Sequence, residues 1–147
     1  MIEIKEITSD DIEQILELFL SVFSLPPWNE NWDRETARNY LLDQIEVKRP
    51  FSYSLYQDDS LVGVALGYVR YWYKGPEAVV GEFFIKSDVQ HEGLGTTFMN
   101  ALKKKAKENF ISSIVLQTQK SNYAYDFYIK NGFIEDNNSV FLFNDIS

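Results

Sequence analysis

The stretch VVGEFFIKSDVQHEGLGTTFMNALKKKA, residues 79–106, places a strand, a glycine-bearing loop and a helix in direct succession. The run from Ala78 to Ile85 is apolar except for Glu82, which is typical of a buried strand. Ser87 to Gly95 then connects this run to a segment whose apolar residues recur every three or four positions. They are Leu94, Phe98, Ala101, Leu102 and Ala106. The sequence therefore predicts strand, loop and helix in this order.

The chain before this stretch changes its hydrophobic period. Ile2 and Ile4 alternate with charged residues and predict a short first strand. Helical spacing follows from residue 12 to residue 23, and it resumes from residue 34 to residue 45 after a plausible N-cap at Asp33. The period then becomes two in Ser52 to Tyr56 and Leu61 to Tyr71, which indicates a β-hairpin.

The chain after residue 106 adds two strand predictions and one helix. Ile114 to Leu116 forms a short apolar run, and Val140 to Phe143 predicts a last strand. Between them, Asn122 is a good N-cap and Asn131-Gly132 a good C-terminal signal for a helix. The order of elements predicts one α+β domain over residues 1–147, with a mixed, mostly antiparallel sheet flanked by helices.

Composition excludes several functional classes. Of the 147 residues, 14 are Lys or Arg and 22 are Asp or Glu, giving a net charge of −8, which argues against a nucleic-acid partner. The absence of Cys excludes thiolate zinc sites and thiol nucleophiles, and the single His91 excludes sites that need two imidazoles, so we expect no metal. The first residues resemble no signal peptide, and no apolar run is long enough to span a membrane. We therefore expect a cytoplasmic protein with no membrane partner.

The loop at residues 90–96 has the chemistry of an anion site. Gly93 and Gly95 allow the backbone to approach a ligand closely, and the first turn of the following helix presents unpaired N–H groups with the helix dipole behind them. A pyrophosphate would suit this arrangement. The same glycines also fit ordinary turn chemistry, because short glycine motifs occur often by chance.

A second stretch supports the ligand-binding interpretation, because both stretches resemble motifs of the GNAT superfamily of N-acetyltransferases. Gln90-x-x-Gly93-x-Gly95 is similar to the acetyl-CoA motif of that family. Asn122, Ala124 and Phe127-Tyr128-x-x-x-Gly132-Phe133 are similar to its second motif. The Pro-Pro-Trp-Asn-Glu-x-Trp loop further resembles bacterial members described as similar to aminoglycoside acetyltransferases. The resemblance implies a sheet splayed near Ile85 and Leu116 to admit acetyl-CoA.

The resemblance also implies roles for individual residues. The backbone of Phe84 and Ile85 would hold the pantetheine arm, and Asn122 would contact the cosubstrate from the last helix. Tyr128 resembles the residue that protonates the departing CoA thiolate, although packing beside Phe127 is the alternative. The remaining cofactor-binding candidates are the residues of the loop, Gln90, His91, Glu92, Gly93, Leu94, Gly95 and Thr96.

Glu82 is the third candidate for chemistry. A carboxylate in an otherwise apolar strand needs a partner or a purpose, and one with a raised pKa could take a proton from an acceptor amine. Glutamates at this position play that part in many related enzymes, but Glu82 could equally bind a cationic substrate. In either role we expect Glu82 to face the acceptor.

The aromatic loop between the first two helices is the candidate acceptor site. Trp28 and Trp32 could line an acceptor pocket or cap the core. Acidic residues near them favour a cationic amine, by electrostatic attraction. The predicted function is therefore acetyl transfer from acetyl-CoA to a primary amine of a small acceptor by direct attack. The alternatives are an inactive acyl-CoA-binding sensor and an interaction domain, and a homodimer is possible.

Overall fold

The computed structural model describes residues 1–147, which divide into two compact units, residues 1–117 and residues 118–147. The second unit contains one helix, α4 (Tyr123–Lys130). The elements of the first unit are β1 (Ile2–Glu6), α1 (Ile12–Phe23), α2 (Arg34–Ile45), β2 (Tyr53–Gln57), β3 (Ser60–Trp72), β4 (Gly75–Ile85), α3 (Leu94–Glu108) and β5 (Ser113–Leu116). Short 3₁₀ turns at Ser9–Asp11 and Ser87–Val89 precede α1 and α3.

The five strands form one sheet in the order β1-β2-β3-β4-β5. The pairs β1/β2, β2/β3 and β3/β4 are antiparallel, and β4/β5 is parallel. A parallel neighbour needs a long crossover connection, which α3 supplies between β4 and β5. The predicted α+β fold with a mixed, mostly antiparallel sheet is therefore confirmed.

The alternation of side chains along the strands assigns the helices of the first unit to opposite faces of the sheet. Phe84 of β4 packs against Phe19 of α1, with ring centroids 5.7 Å apart. Its neighbour Phe83 stacks on Phe98 of α3 at 5.3 Å. Because side chains two residues apart share a face, Glu82 lies on the same face as Phe84, beneath α1 and α2.

The predicted helix caps are confirmed. The Asp33 carboxylate accepts a hydrogen bond from the Thr36 amide at 3.0 Å and begins α2. Asn122 Oδ1 accepts one from the Ala124 amide at 2.9 Å and begins α4, and Gly132 follows that helix with φ +93°. Side chains that satisfy the first amides of a helix are readable from sequence because the interaction is local.

The predicted strand from Val140 to Phe143 is wrong. These residues form no strand and are 71–83% exposed. Alternating β-branched and aromatic residues favour a strand only when a neighbour supplies hydrogen bonds, and no strand pairs with this segment. Other predicted strand bounds also move, and the start of β4 moves furthest. β3 runs on to Trp72 and β4 begins at Gly75, because the two strands continue their pairing to the end of the hairpin.

A side chain at position 67 should destabilise the fold, because the backbone packs closely around Gly67. A Cβ at this position would lie 2.6 Å from the Val79 carbonyl oxygen and 3.2 Å from the Phe51 carbonyl oxygen, and backbone atoms cannot move aside cheaply. We expect Gly67→Ala to lower the free energy of unfolding by about 1–3 kcal/mol, measured by urea denaturation. Gly93→Ala is the comparison, since nothing lies within 4 Å of a Cβ there and only its φ of +81° is strained. Equal stability of Gly67→Ala and wild type would contradict this packing.

Candidate active site

β4 loses its regular pairing on both sides at residues 80–82. On the β3 side, Leu66 pairs with Glu82 and Gly67 with Val80, so that Gly81 is an extra, bulged residue. On the β5 side, pairing ends at Val80 and Leu116. The last five residues of β4 therefore continue without β5 beside them. The family resemblance implies a splay of these strands near Ile85 and Leu116, and their pairing ends in this region.

Glu82 lies two residues beyond the last pair of β4 with β5 and has one hydrogen-bond partner. The Tyr40 hydroxyl of α2 donates to Glu82 Oε2 at 2.5 Å. No other donor of the chain hydrogen-bonds the carboxylate, so Oε1 is left unengaged. Glu82 is half-buried, which places the carboxylate beneath α2 yet within reach of a small molecule.

The surroundings of Glu82 change its protonation. Burial raises the pKa of the Glu82 carboxyl to about 7, the Tyr40 hydrogen bond opposes that rise, and the charge of Glu30 adds to it. Burial raises the pKa of the Tyr40 hydroxyl, and the hydrogen bond to Glu82 raises it further. Tyr40 therefore remains a donor at neutral pH. A carboxyl with a pKa near 7 can accept and release a proton under ordinary conditions.

An aromatic wall fixes the Tyr40 ring. The ring centroid of Trp32 lies 4.9 Å from that of Tyr40, and the ring centroid of Phe19 lies 5.9 Å from it. Trp32 is held in turn by Phe19 at 5.2 Å and by a 2.7 Å hydrogen bond from its Nε1 to Glu30 Oε1. The phenol that reaches Glu82 is therefore held by packing against core residues as well as by its hydroxyl.

Two shallow depressions adjoin Trp32. One has a volume of about 470 Å³ and is lined by residues 30–33 and Thr36. The other has about 420 Å³ and includes Glu17 of α1, whose carboxylate pairs with Arg34. Glu30 lines both depressions. The surface beside Trp32 is thus acidic and open to solvent.

The two Trp residues proposed for the acceptor have different positions. Trp32 lines both depressions. Trp28 packs on Phe23, with ring centroids 5.3 Å apart, and contributes to the edge of the core cluster. Trp28 lines neither depression, and its role in substrate binding stays a prediction.

The loop at residues 90–96 presents unpaired backbone amides. Gly93 is the N-cap of α3 in the left-handed region, with φ +81°, and supplies no side-chain cap. The first helical hydrogen bond of α3 is the one that the Thr97 amide donates to the Gly93 carbonyl at 3.1 Å. The amides of Leu94, Gly95 and Thr96 therefore have no acceptor within the chain. The first turn of α3 also contains no acidic residue. This is an N-terminus suited to a phosphate group.

Gln90 joins this loop to the end of β4. Its Nε2 donates to the Ile85 carbonyl at 2.9 Å. The side chains of Phe84 and Ile85 are buried, and binding of the pantetheine arm by their backbone stays a prediction. Asp88 is 69% exposed and lies 3.8 Å from Lys86, which directs its charge to solvent and to a cation. His91 and Glu92 are exposed at the tip of the loop.

The second unit carries Asn122 and Tyr128 on α4. Asn122 uses its side chain to cap the helix. Tyr128 is 9% exposed and packs edge-on against Phe127 at 5.4 Å and against Phe133 at 5.5 Å. The packing alternative for Tyr128 is therefore real, while a catalytic role for its hydroxyl stays a prediction.

The structure brings together some of the predicted site residues. Glu82 and Trp32 meet through Tyr40, and Gln90 meets Ile85. Sequence analysis missed Tyr40, because a Tyr at helical spacing beside Ala37 and Leu41 indicates only a helix face. Nothing local in the sequence connects it with Glu82, which lies 42 residues away.

Comparison with known proteins identifies the family. The model of the acetyltransferase (GNAT) family matches residues 12–133. The chain belongs to the GNAT acetyltransferase family. The predicted N-acetyltransferase activity is confirmed at the level of this family, whose members use acetyl-CoA. No curated protein matches the chain.

Solved structures of GNAT proteins share the fold at low sequence identity. An aminoglycoside acetyltransferase from an uncultured soil metagenomic sample, in complex with sisomicin, has a TM-score of 0.75 at 18% identity, covering 99% of this chain and 97% of that one. The aminoglycoside N-acetyltransferase AAC(6')-Iy in complex with CoA gives 0.75 at 14%, covering 100% and 96%. Ribosomal-protein-alanine N-acetyltransferase from Brucella melitensis biovar Abortus 2308 gives 0.80 at 15%, covering 99% and 100%. These likenesses establish the fold.

Two further observations concern the chain as a whole. None of its helices combines the length and the apolar character needed to cross a membrane. No cluster of three or more His, Cys, Asp or Glu residues has the arrangement of a metal site.

Proposed function

We propose that this GNAT protein transfers the acetyl group of acetyl-CoA to a primary amine of a small, cationic acceptor. The observation that carries the proposal is the position of Glu82, a half-buried carboxylate with one engaged and one unengaged oxygen where the pairing of β4 with β5 ends. Direct attack by the amine needs no covalent enzyme intermediate, and the chain contains no Cys to form one.

The residues of the α3 N-terminus fit the anionic part of acetyl-CoA. The amides of Leu94, Gly95 and Thr96 lack acceptors within the chain, and Gly93 offers no side chain to obstruct them. Beyond Val80, the edge of β4 that faces away from β3 has no strand partner and offers backbone groups to the pantetheine arm. Acetyl-CoA supplies an activated thioester. The chain would bind it, accept the proton of the amine and donate a proton to the departing thiolate.

Glu82 is proposed to take the proton that the acceptor amine must lose. An amine arrives mostly protonated at neutral pH, since its pKa resembles that of a Lys side chain at about 10.4. Burial raises the pKa of Glu82 to about 7, which lets the carboxylate accept a proton at neutral pH, directly or through water. The proton is received at Oε1, because Oε2 is occupied by Tyr40.

Tyr128 and Asn122 are proposed to act on the cosubstrate, on the strength of the motif they match. The phenol of Tyr128 would donate a proton to the departing thiolate. Since a free phenol has a pKa of about 10 and a thiol about 8.5, this transfer needs proximity and desolvation. Asn122 would contact the cosubstrate beside its capping role.

The charge of the depressions supports a cationic acceptor. Glu30 and Asp33 line the depression beside Trp32, and Glu82 lies beyond Tyr40 on the same side. A polyamine, an aminoglycoside or a lysine-like amine would be attracted to such a surface. Two structurally similar proteins are aminoglycoside acetyltransferases, one solved with sisomicin, which makes this class the first to test.

The function is tested by calorimetric titration with acetyl-CoA and then by thiol release with a panel of amines. The panel pairs each cationic amine, such as spermidine or sisomicin, with a neutral or anionic amine of similar size. We expect binding of acetyl-CoA, and release only with the cationic set. Release with neutral amines alone would overturn the acceptor class, and no binding of acetyl-CoA would overturn the function.

An inactive acyl-CoA sensor of the same fold is the second candidate. It predicts tight binding of acetyl-CoA with no release on any amine. The contact between Glu82 and Tyr40 favours the enzyme, since a carboxylate held by a fixed phenol with its second oxygen unengaged is suited to accepting a proton.

A further inference from the structure

Tyr40 is the residue of α2 that reaches the candidate base. It is partly exposed, yet three of its contacts are specific: the hydroxyl to Glu82 Oε2, and the ring to Trp32 and Phe19. A phenol serving only as packing would not need its hydroxyl at 2.5 Å from a carboxylate. The phenolic oxygen is bonded directly to the ring, so fixing the ring fixes the position of that oxygen.

We propose that Tyr40 is a positioning residue, which holds Glu82 through Oε2 so that Oε1 is presented to the proton of the acceptor amine. This inference rests on the proposed function of Glu82 and adds a division of labour between its two oxygens. Glutamate has three side-chain torsions, and a half-buried Glu without a partner would sample several rotamers. One short, charge-assisted hydrogen bond selects among them.

The hydrogen bond also lowers the pKa of Glu82, against the larger effect of burial. The titratable groups facing the carboxyl are Tyr40 of α2 and Glu30 of the loop between α1 and α2. The neighbouring elements β3 and α1 present Leu66 and Phe19 on this face, and neither titrates. Burial and Glu30 both raise the pKa of Glu82, and Tyr40 alone lowers it. Without Tyr40, the carboxyl would stay protonated to a higher pH.

A second residue of α2 supports this arrangement. Gln44 lies one helical turn after Tyr40, and its Oε1 would be 2.4 Å from a Cβ on Gly81, the bulged neighbour of Glu82. The Gln44 side chain thus packs over the bulge, and its buried Nε2 has no hydrogen-bond partner. A glycine at position 81 leaves the room that α2 needs to lie close to β4.

The test compares wild type, Tyr40→Phe and Glu82→Gln across pH 5.5–9.5, a range of about four pH units. Phe keeps the ring contacts with Trp32 and Phe19 and removes only the hydroxyl. We expect Tyr40→Phe to move the acidic limb of kcat/KM upward by about one pH unit. At the high-pH plateau, kcat should still fall about tenfold, because the ionised carboxylate is no longer oriented. The KM for acetyl-CoA should not change, since no contact of Tyr40 belongs to residues 90–96.

A direct titration keeps the inference independent of turnover. The pKa of the Glu82 carboxyl is followed by NMR of the ¹³C-glutamate-labelled protein, with Glu82→Gln identifying its resonance. Tyr40→Phe should raise it by the same amount as the kinetic limb. Tyr71→Phe is the matched control, since Tyr71 is 71% exposed and lies outside the site; it should leave both values unchanged.

The outcomes separate the two claims. The first case is that Glu82→Gln abolishes the acidic limb of the wild-type kcat/KM profile, while Tyr40→Phe leaves the limb, the plateau of kcat and the NMR titration unchanged. In that case the proposed role of Tyr40 is wrong and that of Glu82 stands. If Glu82→Gln retains the wild-type profile, the proposed base is wrong. An upward shift of the NMR titration in Tyr40→Phe would then still support the hydrogen bond that holds Glu82.

Discussion

Replacing Glu82 with Gln should reduce kcat/KM for the acceptor amine by about 10²–10⁴-fold at pH 8. Gln keeps the size of the side chain and can still accept the Tyr40 hydrogen bond, but it cannot accept a proton. The measurement is thiol release under saturating acetyl-CoA. A loss of less than threefold would contradict a base at this position, because general-base catalysis contributes at least about a hundredfold.

The same variant should be more stable than wild type in alkaline solution. The folded-state pKa of Glu82, about 7, lies above its ordinary value of 4.5. The stability that a raised pKa contributes is therefore complete below 4.5 and is lost as the pH rises through 7. Glu82→Gln removes this loss, so its unfolding free energy at pH 8 should exceed that of wild type by up to about 3 kcal/mol, and by less than about 1 kcal/mol at pH 5. Urea denaturation at both pH values checks this, and lower stability at pH 8 would indicate a structural role.

Replacing Thr96 with Glu should weaken acetyl-CoA binding by about 10–100-fold. Thr96 is exposed in the first turn of α3, where its amide is unpaired. A carboxylate there would repel the pyrophosphate and compete for the free amides. The same carboxylate interacts favourably with the helix dipole, so the thermal stability of the variant should not fall below that of wild type. Calorimetric titration gives the affinity, and thermal unfolding gives the stability.

Asn100→Glu provides the matched control for Thr96→Glu. Asn100 is exposed on the same helix, about one turn further on, and the change in net charge is identical. We expect its affinity for acetyl-CoA to stay within about twofold of wild type, since the charge lies outside the first turn. Equal weakening in both variants would indicate a general charge effect and contradict an anion site at the α3 N-terminus.

Much of the fold could be predicted because its signals are local. Asp33 and Asn122 cap their helices through amides two or three residues away, and the period of two identifies the hairpin of β2 and β3. The anion site at residues 90–96 could be predicted equally well, because the helix dipole and the free amides follow from a helix that begins at Leu94. Each of these features depends on neighbours in the sequence.

The remaining features depend on partners that lie far along the chain. Val140 to Phe143 has strand-like composition, yet no strand pairs with it. Tyr40 was predicted only as part of a helix face, and its contact with Glu82 arises because α2 crosses the bulge in β4. The raised pKa of Glu82 likewise follows from burial that composition does not reveal. Long-range packing, and not propensity, sets these properties.

The most direct test of the account is the pH dependence of kcat/KM for a cationic amine in wild type and in Glu82→Gln. The wild-type profile should rise through a limb near pH 7, the pKa of Glu82, well below the titration of the free amine itself at about 10. In Glu82→Gln this limb should disappear and the remaining activity should follow the amine alone. The same limb near pH 7 in both proteins would show that another group accepts the proton and would contradict the account.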